Sequence, residues 1–345
     1  MDELVAIFIC CIFALIAHGS YRSKVFEWII RVTIGVCAFG CAVTAVSIGS
    51  EKESTYTAWQ QAMLITATAL SFVVLFKPFR EAVSYVLTVA NQIIGGRVFV
   101  ALKQKKSALE SLLAERIFVK ESIPHMYSLW VYVCVFCYML AGTEAQDFGI
   151  PSFPLPIPVT PDQLLVYNGI ALIGLAACGI GIMVTRNPQQ ALARLGLEKP
   201  QGWQIGVALL AVIGTFAYDY AWSLYTHSLQ GGMEGKLTNY NLGAFDTGGG
   251  AAPSALLALS TALCAGVGEE VLMRGAIQPA LGILPAAIMH GILHAQFQHA
   301  PILIIQVAGW STIMGILRRY TNTTTTLICH VTFNFLMTFL FAFNP

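Results

Sequence analysis

Charged residues are scarce in this chain. Asp, Glu, Lys and Arg make up 11% of its 345 residues, against about 25% in an ordinary soluble domain. With 56% hydrophobic residues and a mean hydropathy of +0.69, a soluble globular protein is excluded. The many apolar runs of roughly 20 residues imply a polytopic membrane protein. The formal net charge is +1, so there is no basic field to attract nucleic acid. The lipid bilayer is the expected partner. Two-residue alternation is missing and open sheet edges do not survive in lipid, which leaves helices. The opening MDELVAIFICC has no basic n-region and no small-residue cleavage site, so the first segment is expected to be retained. The nine cysteines lack polar loops with further ligands. Even Cys134-x-x-Cys137, with its redox-like spacing, reads as small hydrophobes packed in apolar stretches. No internal repeat is evident.

What is present is an all-α bundle of about eight to ten spans, near 3–18, 27–48, 60–76, 126–142, 163–184, 204–225, 253–278, 284–298, 300–317 and 325–343. Residues 77–124 differ. They hold eight Lys and Arg, among them Lys77, Arg80, Arg97 and Lys120, and read as an amphipathic segment on the cytoplasmic surface. Their middle, 81–102, is apolar enough for a membrane hairpin or a further span. PSFPLPIPVTP (151–161) is too rich in proline for a helix interior, and 226–252 reads as a flexible loop. Lys and Arg are expected on the cytoplasmic side. One topology then fits: N-terminus out, 77–124 inside without crossing, C-terminus out. The expected location is the plasma or inner membrane of a bacterium. Two regions are expected, 1–184 as membrane spans with the amphipathic segment, and 185–345 with nearly all the intramembrane chemistry.

That chemistry begins at CAGVGEEVLMRGA, residues 264–276. A carboxylate or guanidinium at a helix centre costs about 2.5–3.5 kcal/mol on insertion scales, so three of them need compensation. Glu270 and Arg274 stand four apart with the acid first, the favourable order for a helical ion pair. Glu269 lies about 100° around the helix, on a face of small residues such as Ala262, Ala265 and Gly266, where another helix can approach closely. Read alone, the triplet is equally well an ion cluster at a helix end. The next segment, AAIMHGILHAQFQH, places His290 and His294 on one face. Pro279, Gly282 and Pro285 signal a turn between them and the glutamates. Counting from that turn, Glu269 and His294 fall at one depth, roughly 18 Å away along each helix. On the last apolar segment His330 and Asn334 again stand four apart.

Such a set supports amide hydrolysis by an activated water. A desolvated carboxylate can accept the proton of a water, a histidine can share it, and a second histidine with an asparagine amide can stabilise an oxyanion. No serine or cysteine stands in an obvious nucleophile pairing. The order Glu269-Glu270-x-x-x-Arg274, His290-Gly-Ile-Leu-His294 and His330-Val-Thr-Phe-Asn334 resembles the CPBP family, the CAAX-prenyl-protease-type and bacteriocin-processing membrane proteins also called Abi. The likeness runs from LGLEKPQGW (195–203) to the end of the chain.

The resemblance implies a glutamate-type intramembrane endopeptidase acting on membrane-anchored or lipidated polypeptides. Those would be CAAX-type tails, leaders or C-terminal sorting segments. Carried over by position, Glu269 would activate the water assisted by His294, His330 and Asn334 would form the oxyanion site, and Glu270 and Arg274 would support it. His290 departs from the family pattern, which has phenylalanine there. As an additional site residue it opens an alternative in which Glu269 and the histidines hold zinc. HExxH is missing, and the family pattern implies no cofactor. A non-catalytic membrane binding or immunity protein of the same fold is a second alternative. A proton-coupled carrier is a third, although the inverted repeats and broken helices that would mark one are not evident.

Overall fold

A computed structural model describes residues 3–50, 56–95, 117–142, 158–229, 243–246, 251–294 and 301–343. Among them are twelve helices and no sheet, only an isolated bridge between Ile182 and Arg186. The helices are α1 Glu3–Gly19, α2 Lys24–Ser50, α3 Ala58–Val74, α4 Lys77–Ile94, α5 Ile123–Ala141 and α6 Pro161–Gly179. They continue as α7 Pro188–Leu195, α8 Gly202–Leu229, α9 Ala251–Leu281, α10 Ile283–Ile292, α11 Pro301–Tyr320 and α12 Thr323–Phe343. Seven are long and apolar enough to cross a membrane, or eight if the bent pair α3–α4 is one span. The shorter apolar helices α1 and α10 complete the expected set. The chain is a multi-pass membrane protein by this helix composition. The basic residues expected at 97–116, the prolines at 151–156 and most of the loop 226–252 lie outside the described residues.

Three clusters make the interior. One joins α1, α2, α3 and α5 around Ile30, Ile34, Val74 and Met126, and reaches Ala280 and Leu281 at the end of α9. A second joins α6, α7, α9 and Met289 of α10. The third joins α8, α11 and α12 around Val212, Trp310, Met314 and Cys329. Helix α9 belongs to two of these clusters and packs on α12 as well.

The amphipathic reading of 77–94 has an inverted sense. Helix α4 turns 102° away from α3, with Phe76 extended and Pro78 in the first turn. It buries Arg80, Ser84, Thr88 and Gln92, one polar residue per turn, and leaves Tyr85, Val86 and Ile93 exposed. The buried stripe is hydrogen-bonded. Arg80 donates to the carbonyls of Val74, Leu75 and Lys120 at 2.7–2.8 Å, which satisfies the open end of α3. Ser84 donates to Phe118 O at 2.6 Å.

Helix α9 is not uniformly α-helical. Residues Thr261–Gly266 and Val271–Ile277 are wound as π turns, on either side of Val267–Glu270. Leu164–Ala171 of α6 is also π-wound. The two helices meet backbone to backbone: a Cβ on Gly268 would overlap the carbonyl oxygen of Asn168. Gly266 faces the backbone of Val331 on α12, with 3.3 Å from a Cβ position to Val331 N. Two glycines flanking Val267 therefore let α6 and α12 close on the glutamates.

Gly268→Ala is expected to cost about 1–3 kcal/mol by forcing the helices apart. Gly214→Ala on α8, where nothing lies within 4 Å of a Cβ, is expected to change stability by less than about 0.5 kcal/mol. Thermal unfolding of both variants in detergent checks the contrast.

Candidate active site

Every residue of the three polar motifs lies on α9, α10, α12 or, for His294, just past the end of α10. Two carboxylate–histidine contacts form the centre. His290 Nε2 donates to Glu269 Oε2 at 2.8 Å. His330 Nδ1 donates to Glu270 Oε1 at 2.9 Å. The same His330 ring turns its Nε2 towards Glu269 Oε2, 3.9 Å away, so one imidazole stands between both acids.

Glu270 is held as the i,i+4 spacing predicts. Arg274 Nη1 lies 3.2 Å from Glu270 Oε1, and the two side chains are 0% and 1% exposed. Wide turns begin right after Glu270, yet the pair still forms. The guanidinium also donates from Nη2 to Ser311 Oγ at 3.0 Å. Glu269 differs from its neighbour: its side chain is 15% exposed, so it is the acid that something entering the bundle can reach.

Histidine partnering is where residue counting and structure differ. Equal counting from the bend sets Glu269 level with His294; the structure puts His290 in hydrogen-bond contact with the carboxylate and keeps His294 in the same group, with ligand atoms of all three within 4.8 Å of one another. The π turns of α9 pack more residues into a given length, so the matching position on the α-helical α10 lies closer to the bend. His294 remains nearby. Its Nδ1 donates to the His290 carbonyl at 2.8 Å, and the two rings are 4.9 Å apart. Asn334 stands one turn beyond His330 on α12, half-buried. Among the described residues no hydrogen bond joins it to the cluster.

Helix α11 supplies two residues that nothing in the residue pattern singles out. The ring of Trp310 lies 4.7 Å from His330 and 5.8 Å from His290, and Arg274 sits over it at 5.8 Å. Trp310 and Ser311 read as packing residues in an apolar run, because an aromatic ring and one hydroxyl carry no sign of the site they line. Several buried atoms at this centre have no hydrogen-bond partner: Glu270 Oε2, His290 Nδ1 and Trp310 Nε1. Buried polar atoms left unpaired are costly.

The donor set also suits a cation. One ligand atom each from Glu269, His290 and His294 lie within 4.8 Å of one another. The Nδ1–H of His294 is engaged by a backbone carbonyl, the arrangement that directs Nε2 of a metal-ligating histidine.

Residues 251–336 match the family described as type II CAAX prenyl endopeptidase Rce1-like. The match makes this stretch similar to a domain of that family and covers about a quarter of the chain. It covers α9, α10, α11 and most of α12, with all seven motif residues inside it, whereas 195–203 fall outside. No curated protein and no solved structure matches the chain.

Arg274→Met strips Glu270 of its guanidinium while leaving the acid sealed. Breaking a buried pair on one side costs about 3–5 kcal/mol, and denaturant unfolding in detergent should read a loss of that size. The double variant Arg274→Met, Glu270→Met should recover a substantial part of it.

Proposed function

We propose that this protein is an intramembrane endopeptidase that hydrolyses a peptide bond in a membrane-anchored or lipidated polypeptide. Prenylated CAAX-type tails, leaders and C-terminal sorting segments are the substrate classes. One observation carries the reading: Glu269 is the partly open carboxylate in a cluster whose other charges are sealed, and it lies in an Rce1-like domain.

Glu269 takes a proton from a water, and the water oxygen attacks the scissile carbonyl carbon. The carbonyl electron pair moves onto oxygen. As the tetrahedral species collapses, the C–N bond breaks and the proton held at Glu269 passes to the leaving nitrogen. A new carboxyl and a new amine result. His290, at 2.8 Å, orients Glu269 and shares its proton, with His294 one turn away. The developing oxyanion is met by the Asn334 amide and by His330. Because His330 Nδ1 is engaged with Glu270, only Nε2 can serve the oxyanion, and it does so when protonated. Preorganised donors of this kind act strongly where water is excluded. Glu270 and Arg274 fix the His330 ring and take no direct part. Residues 185–345 form the catalytic core, with 1–184 as its frame.

A second reading rests on the convergence of Glu269, His290 and His294. Zinc bound there would polarise the carbonyl and activate the water as a Lewis acid. The three side chains would then serve as ligands.

The test compares protein termini across the membrane proteome of cells expressing wild type and Glu269→Gln at matched levels. New termini present only with wild type support proteolysis and reveal the substrate. With a purified prenylated peptide the variant should lose about 10²–10⁴-fold in rate. Identical termini in both would sink the catalytic reading in favour of a binding or immunity role. The zinc reading makes a separate demand: stoichiometric metal in purified wild type, lost in His294→Ala, with activity abolished by a chelator.

A further inference from the structure

Helix α10 is short and carries His290 at its far end. It begins after a bend of a single residue, Gly282, whose φ of +100° suits glycine alone. A helix start needs acceptors for its first N–H groups, and Gly282 has no side chain to provide one. The acceptor comes from elsewhere: Ile283 N donates to Asn91 Oδ1 at 3.1 Å, across 192 positions of sequence. The contact is close, since a Cβ on Gly282 would stand 3.4 Å from Asn91 Cβ.

We propose that Asn91 is a positioning residue, an N-cap supplied by α4 that aims the His290 end of α10 at Glu269. This rests on the reading that Glu269 and His290 activate water. Asn91 is itself fixed. Its backbone carbonyl accepts from Arg319 Nη1 at 3.1 Å, Gln92 Oε1 accepts from the same guanidinium, and Tyr320 OH donates to Gly95 O. The end of α11 thus clasps the end of α4. Tyr132 of α5 steadies the same first turn of α10, donating to Pro285 O at 3.1 Å. From Ile283 to His290 the helix runs about 10 Å. A tilt of about 5° at the cap therefore displaces the imidazole by about 1 Å, an error that can cost up to about 100-fold in rate. Asn91 is thus the point at which α4 bears on the chemistry, beside Tyr132 of α5.

The experiment uses the full-length protein in detergent with Asn91→Ala and Asn91→Asp, the latter keeping an acceptor oxygen in place. Cleavage of a prenylated peptide gives kcat and KM, and amide hydrogen exchange follows Ile283–Ile292. Asn91→Ala should lower kcat about tenfold with KM unchanged within about twofold, and exchange at the start of α10 should quicken about fivefold. Asn91→Asp should restore both to within about twofold of wild type. Wild-type kcat in Asn91→Ala, or equal impairment in the two variants, overturns the proposal. Should wild type and Glu269→Gln cleave alike, the catalytic reading has failed, and exchange alone judges the cap. Unchanged exchange in Asn91→Ala then overturns it, and fast exchange rescued by aspartate supports it.

Discussion

A carboxylate shut away from solvent, as Glu270 is, must be met by donors from whichever elements can reach it. Arg274 comes from its own helix and His330 from α12, while Ser311 of α11 accepts from the other side of the same guanidinium. Three helices are bound to one buried charge. Their approach is permitted by glycine, since Gly266 admits α12 and Gly268 admits α6. A hydrophobic bundle in lipid has little reason to choose one packing over another, because its exterior is as apolar as the tails around it. Satisfying a buried acid supplies that reason.

Two adjacent glutamates thereby acquire different surroundings without any difference in chemistry. Glu270 faces arginine and a histidine N–H and is closed. Glu269, a step around the helix, faces two histidine rings and an opening. The Trp310 ring lies against both histidines, which also meet each other edge-on. The division of one dipeptide into a fixed charge and an accessible one is the feature on which the hydrolytic reading depends.

The motif residues were legible because charge and imidazole are expensive in lipid and stand out against apolar neighbours. Glu270 with Arg274 could be paired from spacing, and the bend at Gly282 could be read from its prolines and glycine. Trp310 and Ser311 gave no such signal, since a tryptophan and a serine within a span usually mean packing. The contact of His290 with Glu269 is not legible from equal spacing, which assumes 3.6 residues per turn, whereas α9 departs from that over Thr261–Gly266 and Val271–Ile277. The direction of α4 was hidden for a related reason. Its stripe of Arg80, Ser84, Thr88 and Gln92 shows amphipathicity, but water and buried backbone carbonyls attract the same side chains, and only the fold decides between them.

The wide turns of α9 also bear on what insertions and deletions the chain can accept. A π turn is an α turn with one residue added, so removing a residue from Val271–Ile277 would let that stretch rewind as ordinary helix. What lies beyond would keep about its present heading, because five residues of a π turn sweep about the same angle as four of an α turn; only a deletion in an ordinary α stretch would swing it by about 100°. Gln278, which donates to Gly315 O at 2.8 Å, and α10 with its histidines would hold their places after a deletion at the wide turn and lose them after one within the α-helical Val267–Glu270. The wide turns are therefore the places where a lineage could change the length of this helix by a residue and keep the direction of everything that follows.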